Sequence, residues 1–293
     1  MKIKMILFHC AVLLMVTLNT AANGDLGSVR PQGQPVLNPP EIQTLEISEP
    51  SPTPPPPPSR VIDPQKPMVA LTFDDGPSTM TLDVMQVLDE YDAKGTFFMV
   101  GNRIGRHQSI VAKVAEAGHE IGMHTWNHRE LHKLSASAIR DSLQRNSQAL
   151  QSITGIKPKL LRPPYGTVTK TVRAVTGEMG IQIINWNVDT EDWRNKSTQK
   201  IIHNTLSNVT DGAIVLAHDL YDPTTRAVRT IVPELIARGY QLVTVSELLE
   251  HRLGGGTAGQ VYRQAKPAPD LQLLIAIPQR RYARGSFKCG AKG

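Results

Sequence analysis

Cysteine is nearly absent from this chain of 293 residues, with only Cys10 and Cys289 present. Cys10 follows Leu7-Phe8-His9, residues too bulky for a persuasive lipoprotein cleavage site. A chain cut after Ala22 would keep Cys289 alone, so no internal disulfide could form and burial has to hold the fold together. Long apolar runs are missing too. The only one, Met5 to Leu18, is 14 residues long, short for a bilayer crossing, which excludes a multi-span membrane protein. No repeat of 20–50 residues is evident beyond the strand–helix alternation.

The one apolar run is preceded by Lys2 and Lys4 and followed by the small residues Thr20-Ala21-Ala22. This is the layout of a secretory signal peptide over residues 1–22, with an uncleaved membrane anchor as the alternative. Either way the expected location is outside the cytoplasm: periplasm, cell envelope or medium. Removing residues 1–22 takes away two lysines and no acid, so the formal charge falls from +6 to +4. Residues 260–293 hold seven Lys/Arg against Asp270, so the basic balance resides in the tail. For an exported chain such a tail suits solvent, and after that an anionic surface, better than nucleic acid.

Thirteen of the 22 prolines fall between Pro31 and Pro67, including the run Pro54 to Pro58. At about 3.1 Å per residue a polyproline II stretch from Pro50 to Ser59 would span roughly 30 Å. Residues 23–66 therefore read as a linker, residues 67–252 as the folded domain, and residues 253–293, beyond Gly254-Gly255-Gly256, as a basic, partly disordered tail. Within the domain, strand and helix patterns alternate. The strand candidates are Val69–Asp74, Thr96–Val100, Glu120–His124, Leu160–Pro163, Gln182–Val188, Ala213–His218 and Gln241–Val245. The expected fold is α/β, a distorted or incomplete (β/α) barrel of about seven parallel strands.

Polar residues gather at the C-terminal ends of those strands, the face on which barrel folds build their sites. Asp74-Asp75 closes the first, His124 the third, Arg162 follows the fourth, Asp189 and Asp192 the fifth, and His218 ends the sixth. Two carboxylates on one turn could divide labour between metal and base, with Gly76 permitting the bend, although an isolated Asp-Gly pair is ordinarily a solvated turn. His124 and His128, with one carboxylate, give three N/O ligands, the pattern of a catalytic zinc site. Arg162 could grip a carboxylate. Trp193 could stack on a sugar, and His218 could act as a general acid. Taken alone, each is more often structural. Their convergence on one rim reverses that.

Read in order, Thr72-Phe73-Asp74-Asp75-Gly76, His124-Thr125-Trp126-Asn127-His128, Arg162-Pro163-Pro164-Tyr165, Asp189-Thr190-Glu191-Asp192-Trp193 and Leu216-Ala217-His218 resemble the five motifs of the NodB-homology polysaccharide deacetylases, carbohydrate esterase family 4. The resemblance runs from Pro67 to Glu250. It implies metal-dependent removal of acetyl groups from a polysaccharide. By motif position it gives Asp75, His124 and His128 to one divalent metal, usually Zn2+, with Co2+ or another divalent ion as alternatives. It makes Asp74 the general base, oriented by Arg162, and His218 the general acid, oriented by Asp192. The Tyr165 N–H would face the oxyanion, while Trp193 and Leu216 would shape the acetyl pocket.

The substrate expectation is N-acetylglucosamine of bacterial peptidoglycan, with chitin oligomers or acetylated xylan as alternatives. The expected partner is thus a polysaccharide. No nucleic acid and no protein partner is implied, and membrane contact is confined to the N-terminal signal or anchor. The non-enzyme alternative is a silent glycan-binding wall protein on the same fold.

Overall fold

The computed structural model describes residues 60–267. The signal segment, most of the proline-rich stretch, both cysteines and the tail beyond Pro267 lie outside the described residues. In chain order the elements are β1 (Met68–Asp74), α1 (Thr79–Glu90), β2 (Thr96–Met99), α2 (Gly101–Ile104), α3 (Gln108–Glu116), β3 (Glu120–Met123), α4 (Ala136–Thr154), β4 (Leu160–Leu161) and α5 (Lys170–Glu178). They continue with β5 (Gln182–Ile184), β6 (Val188–Asp189), α6 (Thr198–Asn208), β7 (Ala213–His218), α7 (Asp222–Ala237), β8 (Gln241–Leu242), α8 (Val245–Leu253) and β9 (Val261–Tyr262). Among the described residues, none of the helices is long and apolar enough to cross a membrane.

The strands form a parallel sheet in the order β6-β7-β1-β2-β3-β4-β5-β9, with β8 pairing the start of β1. This is the expected incomplete (β/α) barrel. Alternation along each strand sorts its side chains between two cores. Val69, Leu71 and Phe73 of β1 join Val84, Val111, Leu143, Val175 and Ile231 from the helices in the outer cluster. Met68 and Ala70 point inward, with Phe98, Leu160, Ile184 and Ile214. Continuing the same period puts Thr72 and Asp74 of β1, Arg162 after β4, and Leu216 and His218 of β7 on the inward side. The site is therefore the polar upper storey of an apolar interior. Gly122 on β3 makes room for it: a Cβ there would lie 2.5 Å from the Phe98 ring.

Local sequence explains the helix boundaries. Ser135 caps α4 by accepting from Ala138 N–H at 3.3 Å, and Gly155 ends it at φ 71°. Thr244 and Glu247 form a capping box on α8, which stops at Gly254 with φ 70°.

Besides β4 and β8, which stop at Leu161 and Leu242, three boundaries differ from expectation. The stretch 182–188 is two strands: β5 pairs β4, then Trp186-Asn187 turns the chain so that β6 pairs β7 instead. Asn187 makes that change by accepting from Ile214 N–H through its side chain at 2.9 Å. The tail's beginning is also part of the fold. Val261–Tyr262 pairs β5, Gln264 bridges Ala213, and Ala265 is buried, so residues 261–265 span the gap between β5 and β7. At the other end, residues 60–66 are fastened down rather than free. Arg60 donates to the carbonyls of Asp92 (3.0 Å) and Leu242 (2.8 Å), and the buried Arg252 donates to those of Pro64 (2.8 Å) and Lys66 (2.9 Å).

Candidate functional site

All the rim residues singled out in the sequence meet around one cleft of about 390 Å3, lined by Asp74, Asp75, His124, His128, Tyr165, Asp189, Trp193, Leu216 and His218, together with Trp186 and Tyr221. Arg162 and Asp192 lie behind this wall with no exposed surface. Strained backbone concentrates here. Of the six non-glycine residues with left-handed φ among the described residues, five are on the rim: Asp75 (74°), Thr125 (64°), His128 (56°), Tyr165 (59°) and Glu191 (56°). Such conformations cost on the order of 1–3 kcal/mol each and persist only where surrounding contacts impose them.

Asp75, His124 and His128 bring one ligand atom each to within 4.8 Å of one another. Asp75 Oδ1 lies 3.4 Å from His124 Nε2 and 3.2 Å from His128 Nε2, yet it is buried and has no hydrogen-bond partner. His124 Nδ1 donates to the Arg162 carbonyl at 2.7 Å, which leaves the Nε2 lone pair facing Asp75. Burial pushes the Asp75 carboxyl up, but the neighbouring imidazoles, His124 foremost, hold it at about 2. Burial, then the charge of His124, lowers the pKa of His128. One carboxylate oxygen and two imidazole nitrogens are the kind of donor set a divalent cation takes. The orphaned Oδ1 and this donor set fit such an ion.

The His124–His128 loop is held from behind by α4. Asn146 Nδ2 donates to the carbonyls of Met99 (3.0 Å) and Thr125 (2.6 Å), and Ser142 Oγ accepts from Trp126 N–H at 2.9 Å. The two imidazoles come together through this strained loop, with ring centroids 5.0 Å apart, and not on a helix. Sequence reasoning missed Ser142 and Asn146. Their signal was two polar residues four apart on a face otherwise made of Ile139, Leu143 and Leu150.

Arg162 uses all sides of its guanidinium. It donates to Asp74 Oδ1 (2.8 Å), Thr72 Oγ1 (2.6 Å) and the carbonyls of Ile184 and Asn185 (both 3.2 Å), and it stacks 4.3 Å over the Phe98 ring. On the facing wall, Asp192 bonds His218 Nδ1 at 2.7 Å while its second oxygen accepts from His218 N–H and Thr224 Oγ1. Burial alone would lower the His218 pKa. The Asp192 hydrogen bond and charge, aided by Asp74 and Asp75, instead raise it to about 9. His218 thus presents a protonated Nε2 to the cleft.

Tyr165 packs its ring edge-on against His128, 5.1 Å between centroids, and sits second in a 3-10 turn, Pro164–Gly166, where its N–H has no intrahelical acceptor. Trp193 is half exposed on the lip and Leu216 is buried at the floor. Asp189 accepts from Glu191 N–H at 2.8 Å and shapes its own loop. Glu191 ties that loop to Arg194 (2.7 Å) and Asn195 (3.1 Å).

The role expected of Gly76 is corrected by the structure. The bend after β1 is made by Asp75 itself, in the left-handed region. Gly76 is required for space, because a Cβ there would fall 2.5 Å from Asp219 Oδ2. Asp219 is fully buried, and burial, opposed by the Thr81 hydrogen bond, pushes its carboxyl up to about 7.

A parallel half-barrel thus carries an Asp-His-His donor set and a carboxylate-held imidazole across one cleft. Residues 62–184 match the family described as polysaccharide deacetylase. The chain is 38% identical over 186 residues to the peptidoglycan-N-acetylglucosamine deacetylase PgdA of Listeria monocytogenes, covering 63% of this chain and 39% of that relative. It is 37% identical over 191 residues to a peptidoglycan-N-acetylglucosamine deacetylase of Bacillus cereus, covering 63% of this chain and 89% of that one. Among solved structures, a family 4 acetyl xylan esterase from Clostridium thermocellum in complex with a cobalt ion superposes with TM-score 0.63 at 31% identity, covering 67% of this chain and 98% of that one. The chain belongs to the polysaccharide deacetylase family, carbohydrate esterase family 4.

Proposed function

We propose that this protein is an exported, metal-dependent deacetylase that removes the N-acetyl group from N-acetylglucosamine of peptidoglycan and releases acetate. The observation that carries the reading is the pairing of two sites across one cleft. On one side Asp75, His124 and His128 converge around an unpartnered buried oxygen; on the other, Asp192 holds His218. The names of the Listeria and Bacillus relatives support the substrate class.

Asp75 Oδ1, His124 Nε2 and His128 Nε2 would hold the ion, zinc first and cobalt as the alternative. When bound, a divalent ion supplies Lewis acidity for the acetyl carbonyl and eases ionisation of water. Asp74, fixed at 2.8 Å by Arg162, accepts the proton of the water that attacks the carbonyl carbon. The Tyr165 N–H donates to the developing oxyanion. His218 gives its Nε2 proton to the departing nitrogen while Asp192 stabilises the imidazolium. Leu216 packs the acetyl methyl and Trp193 stacks on the sugar. Amide plus water then gives acetate plus a free amino sugar.

The test is acetate release by the zinc-loaded protein from purified peptidoglycan, from chitin oligomers and from acetylated xylan, beside Asp74→Asn. Release from peptidoglycan that the variant lacks supports the reading. Release only from chitin oligomers or xylan keeps the chemistry and replaces the substrate. Zinc binding without acetate from any of the three favours the silent glycan-binding alternative.

A further inference from the structure

Beneath the Asp74-Asp75 turn lies a carboxyl that the proposed reaction does not use. Asp219, one residue past His218, has no exposed surface. One of its oxygens, Oδ2, accepts from Thr81 Oγ1, while Oδ1 is buried without a hydrogen-bond partner. Both oxygens fill the space that a side chain at position 76 would need: a Cβ on Gly76 would lie 2.5 Å from Oδ2 and 2.8 Å from Oδ1. The Asp219 main chain is fastened to the same segment: its N–H reaches the Asp74 carbonyl at 3.4 Å, and its carbonyl accepts from Ser78 Oγ at 2.5 Å. Ser78 and Thr81 are also the capping box of α1. Asp219 therefore grips the chain before Asp75 and after it.

A half-satisfied buried carboxyl is a costly way to fill space, since an apolar side chain would incur no such desolvation. What it accomplishes is local. Asp75 adopts φ 74°, a conformation that L-residues leave unless their neighbours prevent it. With Gly76 pressed from below and Asp74 and Ser78 tied, the turn has no room to relax, and Asp75 Oδ1 stays aimed at the two imidazoles.

We propose that Asp219 is a positioning residue for Asp75, locking the turn from beneath so that the Asp75 carboxylate is preorganised as a metal ligand before any ion binds. The inference rests on the metal-site reading above. It also ties the general-acid strand to the ligand turn, because Asp219 directly follows His218.

The experiment measures the zinc dissociation constant of the metal-stripped full chain by competition with a chromophoric chelator, alongside the melting temperature of each metal-free variant. Asp219→Ala is expected to bind zinc about 10–100-fold more weakly, the usual cost of losing an outer-shell partner. Asp219→Asn keeps the side-chain volume and an acceptor for Thr81, so it is expected to restore most of the affinity. If Asp219→Ala does not fold, Thr81→Val, which removes the hydroxyl donor alone, carries the test with a smaller weakening. A lower melting temperature with unchanged zinc affinity in these variants makes Asp219 purely structural and overturns the proposal. Wild-type protein that binds zinc but releases no acetate fails the deacetylase reading while leaving the Asp219 shift measurable. Wild-type protein without zinc affinity overturns both.

Discussion

Asp192 holds His218 through both of its oxygens: one lies 2.7 Å from the imidazole Nδ1, and the other accepts the His218 backbone N–H at 2.7 Å. Ring and main chain are fixed by a single carboxylate that is itself fully buried. The imidazole cannot swing away, and its charged form is favoured.

Replacing that carboxylate should release the proton. In metal-free wild-type protein an NMR titration of the His218 ring is expected to have its midpoint near the raised value of about 9. Asp192→Asn should bring it back towards the ordinary value of about 6.5. Because the folded pKa is raised, this pair stabilises the fold fully below the unfolded histidine pKa and loses that contribution as pH rises through about 9. Melting temperature against pH should therefore fall across that window in the wild type and stay flatter in the variant. An unshifted midpoint in Asp192→Asn would refute this account of His218.

The two neighbouring carboxylates should separate by function. Asp75→Ala, like His124→Ala, is expected to abolish tight zinc binding. Asp74→Asn should keep the ion and lower kcat by about 10²–10⁴, the range for losing a positioned base. Zinc affinity and acetate release on the same preparations check this, and equal loss of metal in both carboxylate variants would refute the division of roles.

Arg162 is the most heavily committed side chain in the interior. Arg162→Ala would strand the buried Asp74 carboxylate, at an expected cost of about 3–5 kcal/mol in urea unfolding. Arg162→Lys should recover only part of that, since a lysine ammonium cannot reach four acceptors in one plane while stacking on Phe98.

Truncation distinguishes fold from tail. A chain ending at Gly254 loses β9 and the buried Ala265, baring the edge of β5, and is expected to melt lower and aggregate. A chain ending at Pro267 retains both and should melt like the full-length protein. Thermal melts and light scattering on the two truncations check this, and only the second is suitable for asking whether the basic tail retains the protein on wall polymers.

The strand ends and the ordered motifs were legible because the largely apolar stretches of β1, β3 and β7 each lead into a titratable side chain, and inward alternation carries those side chains to one rim. Asp74, His124 and His218 are of this kind. Residues that act by holding others were not legible. Asn146 matters because the Thr125 carbonyl turns back over α4, and Asp219 because Gly76 folds down onto it. Neither contact has a sequence period: the partners are 21 residues apart in one case and on strands joined through most of the barrel in the other. The ordered start of the tail was hidden for the same reason, since two strand residues have no pattern of their own and gain stability only from the open edge of β5.

The alternation of strand and helix patterns and the residue types at each strand end thus sufficed, within the sequence itself, to set the α/β class, the rim and the identity of its chemical groups. The tertiary structure alone decided their aim: the left-handed turn at Asp75, the tautomer of His124 set by the Arg162 carbonyl, and the proton held on His218. Composition and local pattern determine which groups leave the sheet. Direction and protonation depend on distances across the barrel, which exist only once the chain has closed.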